Sequence, residues 1–398
     1  MINLLRFFIM GNFLSFFSEP KKKKGRFSFG DFTLTGIVSY RVSSVNAAGI
    51  VTRSVVFEKV GLGDPFSLDH AVFFNRGCAG SQRFATGFGE QKPDEGVETS
   101  PEKLAWLGKG LDRAMLQFVR LARDGRDCLK VMAYELTLSI MLEELKLAHA
   151  RGVVVQVLFD CKTSAGKLKQ TSQEAEAALA AANFPAQCLF RRTQPASAIS
   201  HNKFMILLEN GNPTKVWTGS TNFTLGGVFG QLNAAHLISD PSIAAQYSEY
   251  FDLLKTDPTS ASLRTKLNGD DKGSLIRGVP SQLSSHHTSV VFSPQSNVSL
   301  LLLQAALVRA AKESVFLTTA FGINSLLLSC LGASSSEIFV LAESMQGIDA
   351  DTQQRLKDRI SAGALLEKQA AAVLELSEEQ LSGFHIFFCV FLFRFFFF

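Results

Sequence analysis

The feature that most constrains this chain is an alternation of two patterns between residues 100 and 160. "CLKVMAYEL" and "VVVQVLFD" are short, continuous apolar runs, and between them "TLSIMLEELKLAHARG" repeats its apolar residues at helical spacing up to Gly152. Runs without polar alternation mark strands buried on both faces, and the helical spacing marks a crossover between them. Strand, helix, strand therefore predicts a parallel pair covered by helices on both sides, an α/β architecture. "SPEKLAWLGKGLDRAMLQFVRLARDG" precedes the first strand and predicts one amphipathic helix, with Ser100 as N-cap, Pro101 in its first turn and Gly125 at its end.

The pattern continues on both sides. "FTLTGIVSYRV" and "RSVVFEKV" alternate and predict strands within a strand-rich region 32–76, and 77–100 is Gly-rich and polar, hence loop. "AEAALAAANF" predicts another helix, and "AQCLFRR", "KFMILLEN" and "KVWTGS" predict further strands. Residues 256–290 are rich in Asp, Gly, Ser and Pro and read as a linker. The strand–helix pattern then restarts. Laid over "CLKVMAYEL", the stretch "VFLTTAFGI" matches Ala133-Tyr134 to Ala320-Phe321, 187 residues on, and Asp160 matches Glu343, 183 residues on. Such a duplication predicts two lobes related by a pseudo-twofold axis. The expected organisation is 1–31 an apolar and basic segment, 32–255 a first lobe, 256–290 a linker, 291–383 an incomplete second lobe, and 384–398 a tail.

The two ends stand apart. "MINLLRFFIMGNFLSFF" is interrupted by Arg6 and Asn12, is short for a spanning helix, lacks a cleavage site after it, and is followed by Lys21 to Lys24. It reads either as a segment lying in a membrane surface with its lysines on anionic lipid, or as a solvated charge run after a disordered start. The last fifteen residues hold nine Phe with no periodicity, and are foreign to the fold. The six cysteines form no CxxC pair, which argues against a zinc site, and in a chain of 398 residues against a disulfide framework. A net charge of +4 lacks the footprint of an obligate nucleic-acid binder.

The chemistry concentrates in "HNKFMILLENGNPTKVWTGSTNFT", His201 to Thr224. On a strand, His201 and Lys203 share a face. Lys is a compact charge for phosphate oxygens, and His exchanges protons or takes a covalent adduct near neutral pH. About twenty residues on, Gly219-Ser220-Thr221-Asn222 turns. Backbone N–H groups, the Ser220 hydroxyl and the Asn222 amide are candidates to hold the remaining oxygens.

H-x-K followed by G-S-x-x-N, here His201, Lys203, Gly219, Ser220 and Asn222, resembles the phospholipase D superfamily. "AYELT", "RGVVVQVLFD" and "VWTGSTNFTLGGVFGQLN" resemble it as well, over about residues 32–345. The resemblance implies an α/β/α sandwich with a mixed, mainly parallel sheet in two pseudo-symmetric lobes, the second incomplete. It implies a phosphodiesterase acting through a phosphohistidine, with no metal or other cofactor. His201, Lys203 and Asn222 are then catalytic, and Gly219, Ser220 and Asn233 hold substrate. A phospholipid is favoured over nucleic acid, and the implied placement is cytoplasmic or at a membrane surface. A non-catalytic phosphate-binding or protein-binding remnant of the fold, and a nuclease, are the alternatives.

Three departures bear on this. The superfamily's Asp position is Leu208, with Glu209 beside it on the other face of the strand. The acid that follows the GSxxN turn and orients the His is matched by Asn233, which fixes a tautomer but stabilises an imidazolium less. The second His falls near 384–388, where His385 is followed two residues later by Phe387 rather than Lys. A homodimer in which each chain lends one motif would restore the pair. Outside this set, His236 reads as structural, His286-His287 as solvated, and Trp217 and Phe229 as core. Glu135 reads chiefly as structural, with a pocket-facing role second. Asp160 closes a parallel strand, where ligands gather in open α/β sheets.

Overall fold

The computed structural model describes residues 40–45, 51–57, 66, 68–76, 87–88, 100–194, 200–231, 233–268, 273–281, 288–312, 314–319, 323–334, 336–342 and 360–362. The apolar and basic start 1–31, His286-His287, Ala320-Phe321, Glu343, His385 and the tail 384–398 lie outside them.

Strands β1 (Tyr40–Val45) and β2 (Val51–Phe57) form an antiparallel hairpin. The main sheet has seven strands: β3 (His70–Phe74), β4 (Cys128–Ala133), β5 (Val154–Asp160), β8 (Leu189–Arg192), β9 (Lys203–Glu209), β10 (Asn212–Gly219) and β11 (Ala234–Ile238), in the order β3-β11-β10-β9-β4-β5-β8. The short strands β6 (Thr163–Ser164) and β7 (Lys167–Leu168) make a separate hairpin. The sheet is α/β and mixed, as expected, but parallel pairing is confined to β4-β5-β8. The other four pairings are antiparallel. The cause is connection length. β4 and β5 are joined by a full helix, which a parallel crossover needs, whereas β9 and β10 are joined by a tight turn with Asn210 at φ 51 and Gly211 at φ 79.

Alternation along each strand divides the apolar residues between two faces. Val131, Met205, Leu207 and Trp217 face one core with helices α1 (Pro101–Gly108), α2 (Leu111–Arg120) and α3 (Ser139–Ala150), and with Ala175 and Leu179 of α4 (Gln170–Ala181). Met132, Phe204, Ile206, Leu208 and Val216 face the other, under Tyr250, Phe251 and Leu254 of α5 (Pro241–Lys255). Helices on both sides of one sheet make the α/β/α sandwich.

The helix expected over 100–125 is two. Ser100 does accept from the Lys103 amide, but the chain turns at Lys109 (φ 49) and Gly110 (φ 91), and the second helix ends at Arg120. Gly108 is pressed against Phe229, where a Cβ would lie 3.0 Å from the ring. The bend lets both helices lie on one core, an advantage that helical periodicity cannot register. Nor is the expected linker featureless. Its residues 260–268 form α6 (Ser260–Asn268), because Leu263 and Leu267, spaced one turn apart, close the second core.

The second half repeats the first in outline. α7 (Ser299–Ala310), β12 (Ser314–Thr319), α8 (Ser325–Ala333) and β13 (Glu337–Ala342) follow the order of α2, β4, α3 and β5. β12, β13 and β14 (Ile360–Ala362) pair in parallel, as β4, β5 and β8 do. This unit has its own core of Val308, Val315, Leu328, Leu331 and Ile338. Among the described residues, no helix is long and apolar enough to cross a membrane.

Candidate functional site

The antiparallel register of β9 against β4 builds the site. Ala133 pairs with Lys203, so the chain leaving β4 at Tyr134-Glu135 faces the chain entering β9 at His201. His201 lies just before the strand rather than in it. Its ring centroid is 4.7 Å from that of Tyr134, and the Lys203 ammonium sits 5.1 Å from the centre of the same ring. The Lys203 Nζ also donates to the His201 carbonyl at 2.8 Å. The two groups therefore converge, as the H-x-K spacing predicts, though the shared tyrosine and the curled backbone bring them together as well as strand alternation.

Lys203 is only 7 % exposed. Burial pulls its ammonium down from the ordinary lysine value to about 7, with the Glu135 carboxylate acting against that fall. Burial pushes Glu135 up, while Lys203 and the Asn222 amide hold it down. Asn222 donates from Nδ2 to Glu135 at 2.6 Å, which fixes the amide's orientation. Its Oδ1 is buried with no hydrogen-bond partner among the described residues. The segment after β4 is stitched to the turn: Leu136 bridges Phe223, and the Thr137 and Leu138 amides both donate to the Phe223 carbonyl at 2.9 Å.

Gly219, Ser220 and Asn233 form the frame behind this cradle. The Ser220 amide donates to the Ala234 carbonyl at 3.0 Å, and its hydroxyl donates to Asn233 Oδ1 at 2.9 Å while accepting from the Ala234 amide at 3.1 Å. A hydroxyl has one proton, and here Asn233 takes it. Asn233 Nδ2 donates to the Gly227 carbonyl at 2.7 Å, and its amide N–H donates to Asn75 Oδ1 at 2.7 Å. The Ser220 hydroxyl and the Asn233 amide, both expected to hold substrate, are engaged here in bonds that lock the turn onto β11. Gly219 is required by close approach, since a Cβ there would lie 2.2 Å from the Ala234 carbonyl oxygen. Gly219→Ala is expected to cost at least about 2 kcal/mol, seen as a lowered Tm with the cradle residues intact; an unchanged Tm would show that β10 and β11 can part freely.

Leu208 lies in the second core. The turn after β9 is held by Asp127, whose Oδ1 accepts from the Asn210 amide at 3.2 Å and whose Oδ2 accepts from the Arg123 amide at 2.9 Å. Asp160 is 1 % exposed and accepts from the Ser200 amide at 2.8 Å, next to His201. Its Oδ1 also pairs with the buried Lys162 at 3.2 Å. Asp160 thereby anchors the entry to β9 from the end of β5. Tyr134 and the Glu135–Asn222 bond were not legible in the sequence. Their signal was "AYEL" at a strand end, which gains meaning only once β4 is known to neighbour β9.

His236 sits away from the cradle, alternating with the core residues Ala235 and Leu237. Its Nδ1 is 2.9 Å from His70 Nε2. Burial, and then the His70 charge, lower it to about 4. The unfolded chain then binds the extra proton between about pH 6.5 and 4, so stability is present above that window and is lost as pH falls through it. A His236→Gln chain is expected to show a flatter fall of Tm from pH 6.5 to 4; parallel melting profiles would refute the assignment.

By sequence, residues 119–255, about a third of the chain, match the family described as cardiolipin synthase, PLD-like domain. No curated relative matches the chain. Among solved structures, it is similar to a phospholipase D family member, Nuc from Salmonella typhimurium, at 21% identity over 47% of this chain and 95% of that one, with a TM-score of 0.31. NucT from Helicobacter pylori is 14% identical over 38% and 90% of the two chains, with a TM-score of 0.30. The phosphatidylserine synthase of Haemophilus influenzae Rd KW20 is 12% identical over 59% and 60%, with a TM-score of 0.40.

Proposed function

Because residues 119–255 form a phospholipase D-like domain, we propose that this chain is a phosphodiesterase that works through a phosphohistidine on His201. The observation that carries this reading is the convergence of the His201 imidazole and the Lys203 ammonium on one Tyr134 ring, at 4.7 and 5.1 Å. In the proposed reaction a ring nitrogen of His201 attacks phosphorus, and the bond from phosphorus to the leaving alcohol breaks. The departing oxygen takes a proton from a second imidazole. Water then attacks the phosphohistidine, gives its proton to that same imidazole, and frees His201. Lys203 and the Asn222 amide hold the non-bridging oxygens, where fixed charges and dipoles stabilise the developing charge. The frame of Gly219, Ser220 and Asn233 keeps Asn222 in place.

The sequence carries one H-x-K set with its G-S-x-x-N. We assign the second imidazole to His201 of another copy, in a homodimer whose two cradles face one another. The substrate class is a phosphodiester, with phospholipid favoured over nucleic acid by the net charge of +4 and by the absence of interleaved basic and aromatic residues. The segment ahead of residue 32 would then rest on the membrane surface.

Incubation with a generic phosphodiester, quenched under alkaline conditions and read by mass spectrometry, is expected to place a phosphoryl group on His201. Turnover without that adduct under single-turnover conditions would overturn the covalent route. Specific activity is expected to rise with protein concentration as dimers form. A constant rate at concentrations where sedimentation shows only monomer would overturn the shared site.

A further inference from the structure

Glu135 belongs to neither sequence motif, yet its side chain joins the two sides of the cradle. Its Oε2 accepts from Asn222 Nδ2 at 2.6 Å, a short, charge-assisted bond. Its backbone neighbours are tied to the same turn through Leu136, Thr137 and Leu138 on Phe223. The residue before it, Tyr134, carries His201 and Lys203 against its ring. A half-buried carboxylate beside a phosphate site is costly on two counts, its partial desolvation and its repulsion of the incoming anion. Such a group needs a compensating role.

We propose that Glu135 is a positioning residue of the phosphate cradle: its carboxylate fixes the Asn222 amide in one orientation and sets a negative charge against the Lys203 ammonium. This rests on the phosphodiester reading of the site. The physical argument has two parts. An amide has a donor end and an acceptor end, and a carboxylate accepts only from the donor, so Glu135 forbids the flipped Asn222. An ammonium that is 7 % exposed loses most of its hydration, and a nearby negative charge favours its protonated form, beside the His201 carbonyl and the Tyr134 ring. The groups that face Lys203 are Glu135 and Tyr134 from the segment after β4, and His201 from the segment before β9. Behind Glu135 stands Glu174 of α4, which acts on Glu135 in the opposite sense to Lys203.

The test is an NMR titration of the Lys203 side chain in the full chain labelled at lysine, together with binding of dimethyl phosphate, which stays a monoanion across the range. In the unsubstituted chain the Lys203 midpoint is expected at about 7. In Glu135→Gln it is expected to fall by about one unit or more, and in Glu135→Asp to hold nearer the original. Dimethyl phosphate is expected to bind Glu135→Gln more weakly than the unsubstituted chain even at a pH below both midpoints, because Gln can also donate and no longer holds Asn222 in one orientation. At a pH above both midpoints it should bind the variant about tenfold more weakly. Three results would overturn the proposal: an unchanged midpoint in Glu135→Gln, tighter binding at every pH (which would make Glu135 a mere repellent of anions), or an ordinary lysine midpoint in the unsubstituted chain, which needs no variant to fold. None of these readings requires turnover. They therefore stand or fall apart from the phosphodiesterase reading, which His201→Ala tests.

Discussion

His201→Ala is expected to lower turnover of a phosphodiester about a thousandfold or more while leaving the fold in place. A positioned proton-transfer group alone contributes roughly 10²–10⁴ in rate, and a nucleophile that also forms the covalent intermediate belongs at or beyond the upper end. A thousandfold loss corresponds to about 4 kcal/mol of barrier. The fold should survive because His201 is half-buried, stands before β9 rather than within it, and gives Lys203 its backbone carbonyl, which alanine retains. Steady-state rates beside a thermal melt check both halves. Equal rates for variant and parent would leave a phosphate-binding remnant of the fold, the second reading of the sequence, and would end the catalytic assignment.

Lys203→Met should move stability and binding in opposite directions. Lys203 is 7 % exposed, and its midpoint of about 7 means that the fold resists its charge. The unfolded chain binds the lysine proton up to the ordinary lysine value of 10.5, whereas the folded chain releases it near 7. Folded stability therefore rises with pH between those values, and the cost of the buried ammonium is felt in full below about 7. Methionine keeps the length and removes the charge, at the expense of the bond to the His201 carbonyl. At pH 6 the variant is expected to be roughly 1–3 kcal/mol more stable than the parent, with the gain shrinking as pH rises toward 10. Phosphate-ester affinity should fall about a hundredfold or more at the same time, as expected where a site keeps a costly group for its function. Melting curves at both ends of that range, set beside a binding isotherm, decide the matter. A variant less stable at pH 6, or a gain independent of pH, would show that Lys203 is a structural cation and not a held charge.

The cradle shows how far linear reading reaches. H-x-K predicts two groups on one side of the chain, and they do converge. G-S-x-x-N predicts a polar turn, and the turn is there, with bonds inside it that the motif does not show. Ser220 and Asn233 spend their donors on one another's surroundings, a result of β11 lying against β10 at Gly219 and Ala235. Asp127, close in space to the turn after β9 and far from it in sequence, accepts from the Asn210 amide there. Helical periodicity ran on through Lys109-Gly110 because the core under Phe229, which makes the bend favourable, is assembled from distant residues.

The sequence by itself determined the kinds of element and their order. It showed the apolar runs of β4 and β5, the helix between them, the repeat of that unit in β12 and β13, and the H-x-K and G-S-x-x-N residues of the candidate site. Those are local properties, set by side-chain period and by the residues that stop a helix. Only the tertiary structure decided that β9 lies antiparallel beside β4, with Ala133 opposite Lys203. That register puts His201 and Lys203 against Tyr134 and Glu135 on Asn222, contacts between residues far apart in the chain. Strand order and register follow from burying both faces of the sheet at once, a balance over the whole molecule that no window of the chain contains.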